Sequence, residues 1–456
     1  LLTFVMLVGL AAALGAGTEA SAQPRQQLER AQRLATEGDG LVRQKNYRSA
    51  VDKYQQALSL APNYPYAYYF KGYSHFYLGE YDQAIADFNK ALEQRYKPLD
   101  VYTMRWQAFY WRKNYDAALQ DVQQALRLQP SSAYFHLALG DCYRGKNDFR
   151  SALTAYQKAA QLDETNADVH YFIAVSHNQL GEIPQQGLAA IKAIEKNTKY
   201  KGEAWEYVGN ALVFGKKYED AAKSYEQALI AKPDLRDVYG NLSDVYRILN
   251  RFDDAINVTR RALQRYQNDG NLYVSLAWYY SLADRHQEAV NAGLQATRLL
   301  PAQHMGFTNL CRAYNDTKQY ALAVQTCSKA LQLSPGDGET YLYLARAYDF
   351  QNKTALATAA YKKAVDGLVA FTRNNAEYSD GFYLLGNAYY ATNQRANAIA
   401  AYKRCLELAP RFDKARYNLG YIYVLMGNKA LAREQYNALL QLDPALAARL
   451  LEAINK

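Results

Sequence analysis

The chain has 456 residues, half of them hydrophobic, with 11 Pro and 25 Gly; this balance excludes collagen-like and low-complexity disordered classes and describes a chain that folds. Its 53 Lys and Arg against 44 Asp and Glu give a formal net charge of +9, but the cations are scattered among acids and never form a long run, so nucleic acid is not an expected partner. The cysteines, Cys142, Cys311, Cys327 and Cys405, contain no Cys-x-x-Cys pair and no His at zinc spacing. No metal and no cofactor are therefore expected.

From Leu1 to Gly17 the sequence is almost wholly apolar, and it runs into Ala20-Ser21-Ala22 just before Gln23. An A-x-A pattern after an apolar run reads as a signal peptide over residues 1–22, which places the mature chain in the periplasm or outside the cell. The rival reading is an uncut inner-membrane anchor formed by residues 1–17, since about seventeen apolar residues approach the length of a span. Beyond Gln23 no further stretch is long and apolar enough to cross a bilayer. Residues 23–30 are expected to be a short lead-in.

The rest is organised by a period of 34 residues. Counting from Ala31, the eighth positions are Gly38, Gly72, Trp106, Gly140, Ala174, Gly209, Ser243, Ala277, Cys311, Ala345, Gly386 and Gly420, small in all but one. The twentieth are Ala in every repeat except the fifth, which has Gln186; the twenty-seventh are Ala in ten, with Cys405 and Leu439 completing the column. Pro recurs at position 32, as in Pro62, Pro130, Pro233, Pro301, Pro335, Pro410 and Pro444. Small side chains at such intervals let two helix backbones approach closely, and a larger residue would wedge them apart. Aromatics at positions 4, 11 and 24 fill the remaining gaps, so much of the Tyr content is structural.

This pattern of small, aromatic, Ala, aromatic, Ala and Pro positions resembles the tetratricopeptide repeat. The resemblance implies an all-α fold, a right-handed α-α superhelix or solenoid of about twelve helical hairpins over residues 31–446, with residues 447–456 as a C-terminal capping helix. Repeat five has 35 residues, with Pro184 early in its second helix and Gln186 in the Ala column, and is expected to be irregular near residues 184–201. Repeat ten has 41 residues. Its extra residues, near 365–378, amount to about two helical turns and are expected to project from the array.

In the family, the first helix of each repeat lines the concave face, with positions 2, 5, 9, 12 and 13 turned toward a ligand. Here they place Tyr66, Tyr69, Tyr73, Phe76, Tyr77, Tyr110 and Trp111 in repeats two and three, an aromatic concentration beyond the needs of a core. They also place Arg144, Arg247, Arg312 and Arg346 along the groove, beside acids at position 2 such as Glu339 and Asp380. Either these form a basic stripe with an acidic edge, or neighbouring repeats pair them as solvated surface. A chaperone-tail clamp of the kind found in family co-chaperones is disfavoured, because position 5 never carries Lys or Arg and the relevant position 9 residues are Asp39 and Tyr73. Asn241 and Asn309 at position 6, with Asn210 and Asn387 at position 9, resemble an interior asparagine ladder only loosely.

Cys311 and Cys327 occupy positions 8 and 24 of repeat nine, which face each other in an antiparallel hairpin. In an oxidising compartment they are expected to pair as a disulfide, the alternative being two buried thiols. His170 and His177 sit at packing positions, seven residues apart and too far to share an ion. No nucleophile, phosphate loop or carboxylate pair stands out, so the chain is not expected to be an enzyme. The expectation is a non-catalytic scaffold that binds a partner protein or peptide, within an envelope assembly or export system. The alternative is a structural spacer in polysaccharide export machinery, a role in which similar periplasmic arrays occur.

Overall fold

The computed structural model describes residues 25–456. The expected signal segment, residues 1–22, and its rival as an anchor lie outside the described residues. Among the described residues every regular element is an α-helix, and these pair into twelve antiparallel hairpins followed by one last helix. Repeat two is typical, with helices Pro65–Tyr77 and Tyr81–Glu93. No described helix is long and apolar enough to cross a membrane.

Each hairpin turns at the same residue. Position 15 has positive φ in all twelve repeats, as Lys45, Gly79, Lys113, Asn147, Gly181, Lys216, Asn250, Asp284, Lys318, Asn352, Asn393 and Gly427. The following amide reaches back to the carbonyl of position 11, as in Glu80 N to His75 O at 2.9 Å and Asn114 N to Phe109 O at 2.9 Å. This left-handed closure satisfies carbonyls the ending helix would otherwise leave open. Lys at four of these positions is a departure from the Gly and Asn that the conformation favours.

Within a hairpin the two helices are registered by a side-chain pair at positions 8 and 24, matched in volume. Gly38 faces Tyr54, and a Cβ built on that glycine would meet the ring at 2.8 Å; Gly72 faces Phe88 at 3.0 Å. Gly140, Gly209 and Gly386 stand in the same way against Tyr156, Tyr225 and Tyr402. In four repeats with tyrosine at position 24, position 9 accepts its hydroxyl proton: Tyr54 on Asp39 at 2.6 Å, Tyr156 on Asp141 at 2.8 Å, Tyr225 on Asn210 at 2.7 Å and Tyr402 on Asn387 at 2.6 Å; in repeat ten Tyr361 donates instead to Asp349 at position 12, at 2.7 Å. Where position 24 is Phe88, position 9 is Tyr73, and no acceptor is needed. Repeat seven uses Ser243 with Thr259, 3.1 Å apart, and repeat nine uses the two cysteines. The Ala columns at positions 20 and 27 are almost completely buried, for example Ala50, Ala84, Ala91 and Ala125.

Four boundaries differ from the sequence reading. The lead-in of residues 23–30 is, from residue 25 onward, already the first helix of repeat one, which runs to residue 43. The terminal helix spans Pro444–Asn455, beginning before residue 447 because Pro444 is favoured in a first turn and Asp443 caps the amides of Ala445 and Leu446. Repeat five is regular through Ile183–Glu195, since Pro184 also sits in a first turn where its missing amide hydrogen has no partner to lose. Its irregularity is confined to residues 196–200, where Asn197 has φ of 65° and the Thr198 hydroxyl donates to Asp168 at 2.7 Å. In repeat ten the second helix, Thr354–Asn374, has 21 residues where those of repeats nine and eleven have 14. It does not simply project: Leu368 and Thr372 are buried, and Gly367 lies against the backbone of Gly336 and Gly338.

The chain divides into two compact units, one through Tyr207 and one from Val208. The division falls inside the helix Lys201–Phe214 of repeat six.

The matched pair predicts a sign reversal. Gly140→Ala should cost about 2 kcal/mol by forcing a methyl into the Tyr156 ring, whereas with Tyr156→Ala in place the same change should stabilise by up to about 1 kcal/mol, since Ala then acts only as a better helix former. Chemical denaturation of the four proteins measures both values, and additive costs would refute the pairing.

Candidate partner-binding surfaces

In the first unit the aromatic residues sort by what stacks beneath them. Position 13 of one repeat lies on position 17 of the repeat before it: Tyr77 on Tyr47 with ring centroids 5.1 Å apart, and Trp111 on Tyr81 at 6.4 Å, both pairs nearly parallel. At the next joint Gly145 replaces the ring and packs directly on Tyr115. The series leaves Trp111 61% and Tyr77 50% exposed, the two rings offered most fully to solvent among the seven predicted positions. Tyr73 and Phe76 brace Tyr77 at 4.7 and 5.4 Å. Tyr69 is half-buried against Phe70, Phe88 and Tyr96. Tyr66 is turned inward to donate to Asp39 at 2.7 Å. Burial raises Tyr66, Tyr69 and Tyr73 above the ordinary phenol range, and for Tyr66 the bond to Asp39 adds to it, so all three are neutral at physiological pH.

Tyr110 ties this face to the first of the predicted arginines. It stands 5.3 Å from Tyr115 and accepts from Arg144 Nη2 at 3.1 Å. Arg144 also donates to Tyr156 and to Asp141, and lies over the Phe172 ring at 5.4 Å. It is thus held by its own and neighbouring repeats.

The other three arginines belong to the second unit. Arg247 pairs with Asp380 at 2.8 Å, Arg312 with Glu339 at 3.6 Å and Arg346 with Asp316 at 3.2 Å. Arg247 and Arg312 keep only 11% of their side chains exposed, against 44% for Arg346. Arg312 further donates to Asn309 Oδ1 at 2.6 Å and lies over Tyr343 at 5.3 Å. Burial pushes Glu339 upward and Arg312 opposes it. Each of the three is paired with a carboxylate, but not as solvated surface between neighbours throughout, since Arg247 and Arg312 are nearly buried and the partner of Arg247 lies four repeats away. Arg312, Arg346, Tyr343, Tyr383, Asn387 and Lys414 line a cavity of about 690 Å³ inside this unit.

Models of the tetratricopeptide repeat match residues 36–98, 215–278 and 413–446, and a model described as TPR repeat matches residues 140–181 and 386–427. The chain belongs to the tetratricopeptide-repeat family. Among solved structures, this tetratricopeptide-repeat protein is similar to MamA 41-end from Desulfovibrio magneticus RS-1, at 20% identity over 37% of this chain and 94% of that one, with a TM-score of 0.36. It is similar to the APC/C hetero-tetramer Cut9-Hcn1 at 14% identity, 96% and 99% coverage and a TM-score of 0.38. Yeast Tom70 gives 15% identity, 93% and 94% coverage and a TM-score of 0.37. No curated protein matches the sequence.

Three of the four asparagines that resemble a peptide-gripping ladder have internal partners in this tetratricopeptide-repeat array. Asn210 and Asn387 accept from the position 24 tyrosines, and Asn309 donates to the Val274 carbonyl at 3.0 Å. A motif that sequence reading passed over is Ser-His-x-x-Leu-Gly-Glu, at residues 74–80 and 176–182. In both copies the His Nδ1 meets the Glu carboxylate across the turn, His75 to Glu80 at 2.6 Å and His177 to Glu182 at 2.7 Å. Its signal was the identical spacing in two repeats. No group of three His, Cys, Asp or Glu suited to a metal occurs among the described residues.

Cys311 and Cys327 are joined across the hairpin of repeat nine, with Cα atoms 5.3 Å apart, while Cys142 and Cys405 are separate and buried. Burial pushes the Cys142 thiol up to about 12, and Cys405 higher still. In protein isolated without reductant, alkylation after denaturation should therefore label Cys142 and Cys405 and spare Cys311 and Cys327. Labelling of all four, read by peptide mass, would show that the pair is reduced.

Proposed function

We propose that the chain is a non-catalytic scaffold that holds a partner protein on the aromatic face of its first unit. The family is one of protein-binding arrays, which supports the general reading. The particular one is carried by Tyr77 and Trp111, large rings presented to solvent at equivalent positions of consecutive repeats and held flat by the tyrosines beneath them. Such rings lose little conformational entropy on binding, because stacking has already fixed them, and a rigid exposed aromatic pair is the composition of an interface hot spot. Tyr73, Phe76 and Tyr110 form the support, with Tyr66 and Tyr69 as its half-buried floor.

The apolar segment Leu1–Gly17 and the Ala20-Ser21-Ala22 pattern support export, and with it a place in an envelope assembly or export system. Fractionation of cells producing the full chain tests the address: recovery in the periplasm or medium is expected, and retention in the cytoplasm would discard it.

The binding face is tested by the pair Tyr77→Ala and Trp111→Ala, each expected to weaken partner capture by about ten- to a hundredfold with the fold intact. Partner lists are compared with those of Phe350→Ala, which removes a similar ring, 55% exposed and stacked on Tyr320, from the second unit. Equal loss from all three would remove the assignment. Insensitivity to every one would favour the spacer reading, in which the array separates components of polysaccharide export machinery without gripping a segment.

A further inference from the structure

We infer that Tyr378 and Asp380 form a built-in occupant of the inner face of the second unit, holding it shut against an external protein segment that carries a tyrosine beside a carboxylate. The inference concerns the second unit and stands apart from the aromatic face of the first.

Repeat stacking joins each hairpin to its neighbours alone. The pair of Arg247 and Asp380 breaks that pattern, since it links repeat seven to repeat eleven across 133 residues of sequence. Two more contacts are of similar range: Asn250 Nδ2 of repeat seven donates to the Arg411 carbonyl of repeat eleven at 2.7 Å, and Lys414 of repeat twelve pairs with Asp284 of repeat eight at 3.6 Å. Asn250 and Asp284 are the left-handed turn residues of repeats seven and eight. Nothing in the stacking of small residues requires these meetings. The longer second helix of repeat ten, Thr354–Asn374, lies between the two sets of repeats in the chain.

The groups around Arg247 describe the site that Asp380 fills. The guanidinium lies over the Trp278 ring at 4.7 Å, and Asp244 stands 3.4 Å from its Nε while accepting from Tyr279 at 3.1 Å. Tyr378, two residues before Asp380, packs its ring on Phe371 with centroids 5.8 Å apart and lines a cavity with Glu339 and Leu384. Arg247 and Asp380 are both only 11% exposed. A cation between an indole face and two carboxylates, with a phenol alongside, is a binding site for an aromatic and acidic segment. The present occupant is such a segment, with Tyr378 and Asp380 two residues apart. Being polar, the closure is weakened by competing carboxylates and by salt where water reaches it, unlike the apolar joints elsewhere.

The test uses the full chain and a fluorescent peptide of residues 375–382. A tethered occupant acts at high effective concentration, so Asp380→Asn should bind the peptide at least about tenfold more tightly than the unaltered protein. Adding Arg247→Ala should abolish that binding. Hydrogen exchange at amides 409–414 should accelerate in Asp380→Asn, and the charge exchange Arg247→Asp with Asp380→Arg should restore protection, which separates loss of the latch from loss of the fold. Equal peptide affinity with and without Asp380, failure of the Asp380→Asn protein to bind, or binding that survives Arg247→Ala would each overturn the inference.

Discussion

Close approach of paired helix backbones is the constraint on which everything else rests. Two α-helices pack at a separation set by the side chains between them, and here those side chains are Gly and Ala at fixed intervals. Removing bulk at position 8 creates the room that an aromatic ring at position 24 then fills. The hydroxyl of that ring calls for an acceptor, which position 9 supplies as Asp or Asn in four repeats and position 12 supplies as Asp349 in repeat ten. Packing thus dictates a polar residue on the surface, so Asp39, Asp141, Asn210 and Asn387 are placed by the core as much as by any ligand.

Dependence of surface on core marks where sequence reading succeeds and where it stops. The hairpins were legible because the Ala columns and the eighth positions recur in register, and local packing obeys local spacing. The disulfide pairing was proposed on the same logic, from Cys311 and Cys327 standing at facing positions. The irregularity expected near residues 184–201 falls at 196–200 and spares Pro184, because a proline in a first turn has no amide bond to lose. Least legible was the contact between Arg247 and Asp380, since it depends on how far several stacked repeats turn, a quantity no single repeat encodes. The arginines could be placed on the right helix face, but the identity of their partners could not be read from a 34-residue pattern.

The two units use the same hairpin for different surfaces. In the first, stacked rings at positions 13 and 17 build an apolar ridge that ends where Gly145 takes the place of an aromatic. In the second that stack recurs once, as Phe350 on Tyr320, and the nearly buried Arg247 and Arg312 are paired with the carboxylates of Asp380 and Glu339. The apolar ridge gains by excluding water, whereas the inner face of the second unit exchanges one polar partner for another. Binding on the two is therefore expected to respond differently to ionic strength.

The left-handed turn residue of every hairpin has an evolutionary implication. Its backbone geometry is imposed by the closing hydrogen bonds, yet its side chain, whether Lys, Asn, Asp or hydrogen, contributes nothing to helix packing. The array accordingly carries twelve equivalent addresses at which mutation can rewrite surface chemistry while leaving the stack untouched. Asn250 and Asp284 show two such addresses already engaged, by the Arg411 carbonyl and by Lys414.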